Sequence, residues 1–166
     1  MRDNGGMTQL DATDRAILER LQADGRIANI DLAHAVSLSP SACLRRLRAL
    51  EEAGFIEGYR AELSRERLGL DLTVFIELKV EGHSLETSQA VERALTAIPA
   101  VVACHLVSGD ADIRVEVAAP SLAAYERILL DQILAVPAVV DARSTFAIRT
   151  IKSRGPLPLE HLSATR

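Results

Sequence analysis

The hydrophobic positions in the first third of the chain recur every three or four residues, which is the period of an amphipathic helix. Three helices are predicted there, at residues 11–24, 29–36 and 40–53. The third has the clearest start, because Ser39 is a good helix cap and Pro40 suits the first helical position. It should stop at Gly54, since glycine readily adopts the left-handed conformation that ends many helices. The connections are short, so the three helices should pack as one unit.

The second and third helices have the spacing of a helix-turn-helix, in which the second of the two helices enters the DNA major groove. The side chains expected to face the core are Ile30, Leu32, Ala33, Val36, Cys43, Leu44, Leu47 and Leu50. Many such turns have glycine at the position of Ser37, so this serine is expected to adopt a positive φ. The rest of the third helix is basic, with three arginines and no acidic residue between Ser39 and Leu50. DNA-binding residues are predicted at Ser39, Ser41, Ala42, Arg45, Arg46 and Arg48. The alternative is a solvated basic face with no partner.

Beyond residue 71 the hydrophobic period falls to two, as in a strand with one buried face. Residues 72–80 form the first predicted strand, and Phe75 falls on its polar face. The elements predicted after it are helix 84–98, strand 101–108, strand 112–118, helix 121–135 and strand 138–150. The peptide Ile98–Val102 recurs as Val136–Val140, 38 residues later, which indicates two similar halves. This order predicts a ferredoxin-like βαββαβ domain with both helices on one face of an antiparallel sheet.

The opposite face of this sheet should carry Phe75 together with alternate apolar side chains of the other strands. Such a face needs a cover, and a second copy of the chain is the simplest one. The chain is therefore expected to be an α+β protein that self-associates. Its predicted parts are a flexible leader (1–9), a helix-turn-helix DNA-binding domain (10–54), a linker strand and hinge (55–71), a ferredoxin-like domain (72–152) and a C-terminal tail (153–166).

The composition limits the classes of function. The 19 basic and 23 acidic residues give a net charge of −4, which argues against a protein that coats nucleic acid by bulk attraction. DNA contacts should therefore concentrate on the basic third helix. Five aromatic residues are too few for a base-stacking platform. Two cysteines form no disulfide framework, and neither a signal peptide nor a membrane span is evident, so we expect a cytoplasmic protein with no membrane partner.

Seven short motifs occur in order along the chain. They are Leu10-Asp11-x-x-Asp14-Arg15-x-Ile17-Leu18, Leu38-Ser39-Pro40-Ser41-x-Cys43-Leu44-Arg45-Arg46-Leu47, Leu50-Glu51-x-x-Gly54-x-Ile56, Gly58-Tyr59, Leu68-Gly69-Leu70, Gly109-Asp110-x-Asp112 and Arg143-Ser144-Thr145-Phe146. Over about residues 10–159 the chain resembles the leucine-responsive/AsnC (Lrp/AsnC, "feast/famine") family of bacterial and archaeal transcription regulators. The resemblance implies a helix-turn-helix, a linker strand and a βαββαβ domain, the order predicted above.

The resemblance also implies partners. These are double-stranded DNA with a pseudo-palindromic operator, a second copy of the chain in a homodimer, higher rings such as octamers, and an amino acid effector bound between dimers. Matched by position, the effector-binding residues would be Ser108, Gly109, Asp110 and Asp112, joined by Ser144 and Thr145 of a neighbouring dimer. Family members often have an aromatic residue between the two aspartates, where this chain has Ala111. The alternative is that Gly109 and Asp110 form only a hairpin turn.

No catalytic, cofactor or metal site is predicted. Asp110 and Asp112 have no third ligand nearby in sequence, and the four histidines have no nucleophile at a recognisable spacing. Cys43 and Cys104 lie in apolar periodic contexts and are expected to pack as small core residues. The chain is therefore expected not to be an enzyme.

The sequence predicts a sequence-specific DNA-binding transcriptional regulator that responds to an amino acid or a related small metabolite. Two alternatives stay open. One is a ferredoxin-like protein that binds a small molecule and whose helical head docks another protein. The other is an architectural DNA-binding protein that has no effector and little sequence preference.

Overall fold

The computed structural model describes residues 10–82 and 84–162, which fold as two compact units. The helical unit contains residues 10–62 and 152–162, and the sheet unit contains the described residues of 63–151. The chain therefore leaves the helical unit once and returns to it after the sheet unit is complete. The predicted flexible leader, residues 1–9, lies outside the described residues. No helix within the described ranges is both long enough and apolar enough to cross a bilayer.

The helical unit contains the three predicted helices, α1 (Ala12–Ala23), α2 (Asn29–Ala35) and α3 (Pro40–Glu52). A capping box starts α1: the Asp11 carboxylate accepts a hydrogen bond from the Asp14 N–H, and the Asp14 carboxylate accepts one from the Asp11 N–H. At the start of α3 the Ser39 hydroxyl accepts from the Ala42 N–H. The chain turns away after α3 at Gly54, which has a φ of +77° as the sequence predicts.

The core of the helical unit is built from the inward faces of these helices. Its buried residues are Leu10, Ile17, Leu32, Ala33, Cys43 and Leu50. The prediction that Ile30 and Leu44 face this core is wrong, because they are 69% and 37% exposed. Successive helical residues are rotated by about 100°. A helix that buries Cys43 therefore turns Leu44 to its flank, and one that buries Leu32 turns Ile30 to the far side.

The sheet unit has the predicted βαββαβ order. A short 3₁₀ turn (Glu66–Leu68) precedes β1 (Leu72–Val80), α4 (Leu85–Thr96), β2 (Val101–Leu106), β3 (Ile113–Ala119), α5 (Leu122–Ile128), a π-helical turn (Leu129–Ile133) and β4 (Val139–Phe146). The sheet has the strand order β2-β3-β1-β4 with every neighbouring pair antiparallel, which confirms the ferredoxin-like topology. Two details differ from the prediction. Residues 56–64 form no strand, and β4 ends at Phe146 rather than near residue 150.

The two faces of the sheet differ sharply in polarity. One packs under the helices around Val74, Ile76, Leu78, Val115 and Val117, all fully buried. The open face, in contrast, carries charged side chains, namely Glu77, Lys79, Arg114, Glu116, Asp141 and Arg143. The expectation of an apolar open face is therefore wrong. Phe75 fits it, as do the small residues Ala103 and Ala118, and the Arg114 guanidinium lies 4.9 Å from the centre of the Phe75 ring.

Candidate DNA-binding and ligand-binding sites

The turn between α2 and α3 fixes the direction of α3. Ser37 has a φ of +56°, as predicted, and the Leu38 N–H donates to the Ala33 carbonyl oxygen at 2.8 Å. Ala33 is buried and small, so α2 and α3 can approach closely at this point. The Asn29 side-chain amide then donates to the Pro40 carbonyl oxygen at 2.9 Å, which ties the start of α2 to the start of α3. The turn is thus held by backbone and side-chain hydrogen bonds together.

The outward side of α3 presents a set of residues that we call the recognition surface. It consists of Ser41, Leu44, Arg45, Arg48 and Ala49. The other four lie three, four, seven and eight positions after Ser41, so all five share one side of the helix. They line a shallow concavity of about 390 Å³ that Glu52 closes at the C-terminal end of the helix.

Four of the predicted DNA-binding residues are exposed in the structure. Arg45, Arg48 and Ser41 lie on the recognition surface, and Ser39 precedes it at the helix cap, where its hydroxyl oxygen lies 3.3 Å from that of Ser41. Ala42 is half-buried and offers less surface than predicted. Leu44 also lies on this surface, although its apolar character predicts a place in the core. The signal that could have found it is its rotation away from Cys43.

The structure gives Arg46 a different partner from the DNA expected for it. Its Nη1 atom donates to Asp11 Oδ2 at 2.7 Å and to Asp14 Oδ1 at 2.8 Å. Both carboxylates belong to the capping box of α1, so Arg46 joins the start of α1 to the middle of α3. The side chains of Arg46 and Asp14 are 34% and 15% exposed, whereas Asp11 is 49% exposed. Arg46 therefore points along the helix bundle and not out of the recognition surface.

The same contacts set the ionisation of this cluster. The pKa of the Asp11 carboxyl is lowered, chiefly because its carboxylate accepts a hydrogen bond from the Asp14 N–H, and the Arg46 guanidinium adds to the effect. The pKa of Arg46 is raised, first by its hydrogen bond to Asp14 and then by that to Asp11. Both shifts favour the charged forms, so Asp11 and Arg46 stay ionised at neutral pH.

The loop between β2 and β3 contains the predicted effector-binding residues. It is closed by the Val107 N–H, which donates to the Asp112 carbonyl oxygen at 2.9 Å. The Asp112 carboxylate accepts from the Val80 N–H at 2.8 Å, so this side chain fastens the loop to the end of β1. Ser108, Gly109 and Asp110 remain exposed at the tip. Gly109 has a φ of +127° with open space on its Cβ side, which leaves the backbone accessible.

Ser144 and Thr145 lie on opposite faces of β4, as successive strand residues do. Ser144 faces the helices, where its hydroxyl hydrogen bonds to the Tyr125 hydroxyl of α5. Tyr125 also contacts the Phe146 ring edge to face, with 5.4 Å between ring centres. Thr145 faces the open side of the sheet beside Phe75. The two predicted residues therefore do not approach a ligand from the same side. The buried Tyr125 that engages Ser144 was not predicted, since it lies 19 residues away in sequence.

A small cavity lies beside the effector loop, between α4 and the strand ends. It measures about 80 Å³, and its lining includes Glu92, Leu106 and Asp112. Because a water molecule occupies about 30 Å³ in the liquid, this space holds only a few waters. Val80 and Ser88 also border it. This cavity alone is too small to enclose an amino acid with its side chain.

The cysteines and metal-ligating residues offer no reactive centre in the part of the chain that the structure describes. No group of three or more His, Cys, Asp or Glu side chains is arranged to hold a metal ion there. Cys43 is buried, and burial raises the pKa of its thiol. Cys104 is half-buried, and its pKa is raised by burial and then by the Glu92 charge. Both thiols stay protonated at neutral pH, which makes them poor nucleophiles.

Two family matches cover most of this architecture. Residues 10–57 match the winged helix-turn-helix DNA-binding family, and residues 73–157 match the Lrp/AsnC ligand binding domain. The chain belongs to the Lrp/AsnC family. An Lrp/AsnC relative, the leucine-responsive regulatory protein of Escherichia coli (strain K12), is 37% identical over 151 residues, which cover 91% of this chain and 92% of the relative.

Solved Lrp/AsnC structures agree with the fold. A transcriptional regulator from Neisseria meningitidis in complex with L-Met is 36% identical and superposes with a TM-score of 0.88, over 93% of this chain and 99% of that one. An AsnC family transcriptional regulator from Agrobacterium tumefaciens is 34% identical with a TM-score of 0.87, over 92% and 99% of the two chains. The resemblance and fold class inferred from the sequence are confirmed. The protein is a DNA-binding transcriptional regulator with a ligand-binding domain.

Proposed function

We propose that the protein binds a pseudo-palindromic operator as a homodimer and reads each half-site with the recognition surface of one α3. The observation that carries this proposal is the exposed pair Arg45 and Arg48, next to small residues at the start of the helix. Small side chains allow the helix to enter a groove about 12 Å wide, and arginines bond guanine edges or phosphates. Arg46 holds α1 against α3 and contributes no DNA contact.

We propose that the homodimer forms through the charged open face of the sheet and not through an apolar face, as the sequence had predicted. The open face of the sheet is charged, and its opposite charges lie side by side: Glu77 pairs in register with Arg114 and Arg143, and Lys79 pairs with Asp141. Such a face approaches its own copy without net repulsion, which favours association through polar complementarity. Dimers of this kind can assemble further into rings, such as octamers.

The proposed effector is an amino acid at the exposed loop tip, Ser108, Gly109 and Asp110. Backbone N–H groups beside a glycine can approach a ligand carboxylate, and the Asp110 carboxylate can accept from its α-amino group. Support comes from the Lrp/AsnC ligand binding domain over this region and from the L-Met complex of the Neisseria meningitidis relative. The loop lacks an enclosed pocket of its own, so we propose that a neighbouring dimer completes the site with one face of its β4, either the open face that carries Thr145 or the helix-facing side that carries Ser144.

The effector acts on DNA binding through assembly. A ligand shifts an equilibrium only by its differential affinity for the two states. An amino acid held between two dimers therefore favours the packing that forms its site, and this packing sets the spacing of the α3 helices. We further propose that the protein is not an enzyme and needs no cofactor, because its relatives are regulators, and that it works in the cytoplasm, where the DNA lies.

DNA reading is tested with single substitutions in the full-length protein. Duplexes are enriched from a random library with the wild type, and affinities are measured by fluorescence anisotropy at several salt concentrations. Arg45→Ala and Arg48→Ala should each weaken binding by tenfold or more, since a good bidentate contact contributes about 1–3 kcal/mol. The matched control is Arg20→Ala, an exposed arginine on α1 with the same loss of charge. Equal affinities for all four proteins would show that α3 does not read DNA.

The effector is tested by thermal shift with each of the twenty amino acids. At least one should raise the melting temperature, because a ligand that binds only the folded state stabilises it by mass action. Asp110→Asn should weaken that response, whereas Asp131→Asn, an exposed carboxylate elsewhere in the sheet unit, should leave it intact. If no amino acid shifts the wild type, or if both variants respond equally, the proposed site is wrong.

A further inference from the structure

Leu44 is an exposed apolar side chain inside a cationic surface. It is 37% exposed and lines the same concavity as Ser41, Arg45 and Arg48. The buried core of the helical unit does not include it. A single exposed leucine needs no explanation in general. This one lies on the surface proposed to enter the major groove, between Ser41, Arg45 and Arg48, which carry polar or charged groups.

The chemistry of the major groove gives Leu44 one complementary partner. The base edges exposed there are hydrogen-bond donors and acceptors, except for the C5-methyl group of thymine. Placing a leucine against a donor or acceptor would remove that group from water without replacing its hydrogen bond, which is unfavourable. Placing it against the methyl group buries apolar surface on both sides. The flanking arginines, Arg45 and Arg48, meanwhile carry the charge that holds the helix to phosphates.

We infer that Leu44 contacts the C5-methyl group of a thymine in each half-site and so makes the operator preference depend on that methyl group. This inference rests on the proposed function of α3 as the DNA-reading helix. It adds a base class that the arginines cannot select, because arginine prefers guanine edges or phosphate. Leu44 therefore adds a preference for thymine, whereas Arg45 and Arg48 supply most of the affinity and select guanine where they contact a base edge.

The test removes the methyl group without changing base pairing. In the duplex selected by the full-length wild type, each thymine is replaced in turn by deoxyuridine, and affinity is measured by fluorescence anisotropy. One position in each half-site should lose about fourfold in affinity, the value of one buried methylene-sized group. Leu44→Ala should bind the parent duplex more weakly and should show no further loss at that position. Circular dichroism checks that this exposed substitution leaves the fold intact.

A second measurement places the methyl group on cytosine instead of thymine. Replacing the sensitive T·A pair by C·G should weaken binding, and 5-methylcytosine at the same position should recover about fourfold for the wild type and nothing for Leu44→Ala. A flat deoxyuridine scan, or an equal penalty in Leu44→Ala, would overturn the inference while leaving α3 as the reading helix. A selected half-site without thymine would overturn it as well. Failure to enrich any sequence would instead refute the proposed function on which it rests.

Discussion

The contact between Arg46 and the start of α1 allows a role in the stability of the fold to be distinguished from a role in DNA binding. The perturbation is Arg46→Met, which keeps the length and packing of the aliphatic stem and removes the guanidinium. The substitution breaks hydrogen bonds of 2.7 Å to Asp11 and 2.8 Å to Asp14. It also leaves two carboxylates close together without a counter-charge. We expect the helical unit to lose stability while its recognition surface stays intact.

The exposures of the two partners set the size of the loss. Charge-assisted hydrogen bonds contribute about 1.5–3 kcal/mol when protected from water, and exposed ion pairs about 0.2–1 kcal/mol. Asp14 is only 15% exposed and Asp11 is 49% exposed. The bond to Asp14 should therefore contribute roughly 1 kcal/mol and the bond to Asp11 about 0.5 kcal/mol. For a unit of this size, the sum of about 1.5 kcal/mol lowers the melting temperature by roughly 6–12 °C.

The assay combines urea unfolding with DNA binding. Circular dichroism gives the free energy of unfolding for the wild type, Arg46→Met, Asp14→Asn and the double variant, and the cycle should yield a coupling of about 1 kcal/mol. Binding to the selected duplex is then followed against salt at a temperature where every variant is folded. Arg46→Met should keep the wild-type salt slope. The matched control, Arg48→Met, should keep the free energy of unfolding of the wild type. It should reduce the slope of log K against log[salt] by about one per subunit.

The opposite pattern would refute the reasoning. If Arg46→Met leaves the free energy of unfolding within about 0.5 kcal/mol of the wild type, the usual range for an inert surface change, the contact does not stabilise the unit. If it also flattens the salt slope as much as Arg48→Met does, Arg46 contacts phosphate and the sequence-based assignment to DNA was right after all.

Three further predictions follow from single features of the helical unit. Ser37→Gly should stabilise the protein by about 0.5–1 kcal/mol in thermal unfolding, because glycine adopts the observed φ of +56° without strain. Because the pKa of Asp11 is lower in the folded protein than in the unfolded chain, its carboxylate stabilises the fold. This contribution is complete above the unfolded pKa, near pH 4, and is lost as pH falls through the folded pKa. The urea midpoint of the wild type should therefore drop more between pH 5 and pH 2 than that of Asp11→Asn. Removing residues 155–166 should cost about 2 kcal/mol, because Leu157 exchanges two hydrogen bonds with the Gln22 side chain and Leu162 packs on the helical core.

Each of these has a clear contrary result. A lower melting temperature for Ser37→Gly would mean that the serine hydroxyl does more than occupy the turn, and Ser37→Ala separates the two effects. If the urea midpoints of the wild type and Asp11→Asn fall in parallel with pH, the Asp11 cap does not contribute to the loss of stability in acid. If the truncated chain and Gln22→Ala both have the urea midpoint of the wild type, residues 155–166 do not stabilise the helical unit.

The sequence predicted those features whose cause is local. The caps at Asp11 and Ser39, the stop at Gly54 and the strained turn at Ser37 all depend on residues within a few positions of one another. The period of two along β1 likewise placed its faces correctly. The helix boundaries and the βαββαβ order followed from these signals alone.

The misses arose where the cause lies far along the chain. Arg46 meets its partners 35 and 32 residues away, so its spacing on α3 could not show that its guanidinium is engaged. The polarity of the open face depends on how four strands align, because Arg114 and Glu116 of β3 lie beside Glu77 and Phe75 of β1 only in the folded register. The proposed effector site is the least predictable part, since Ser144 and Thr145 are adjacent in sequence but lie on opposite faces of β4.

The return of the chain to the helical unit has a consequence for protein synthesis. The Gln22 side chain is satisfied by Leu157, 135 residues later, so the DNA-reading half cannot be completed by the first 62 residues that leave the ribosome. At about 5–20 residues per second, several seconds pass before the closing segment is made. A nascent or prematurely terminated chain therefore carries a helix-turn-helix that is less stable than the finished one. The helical unit thus reaches its full stability only when nearly the whole chain has been made.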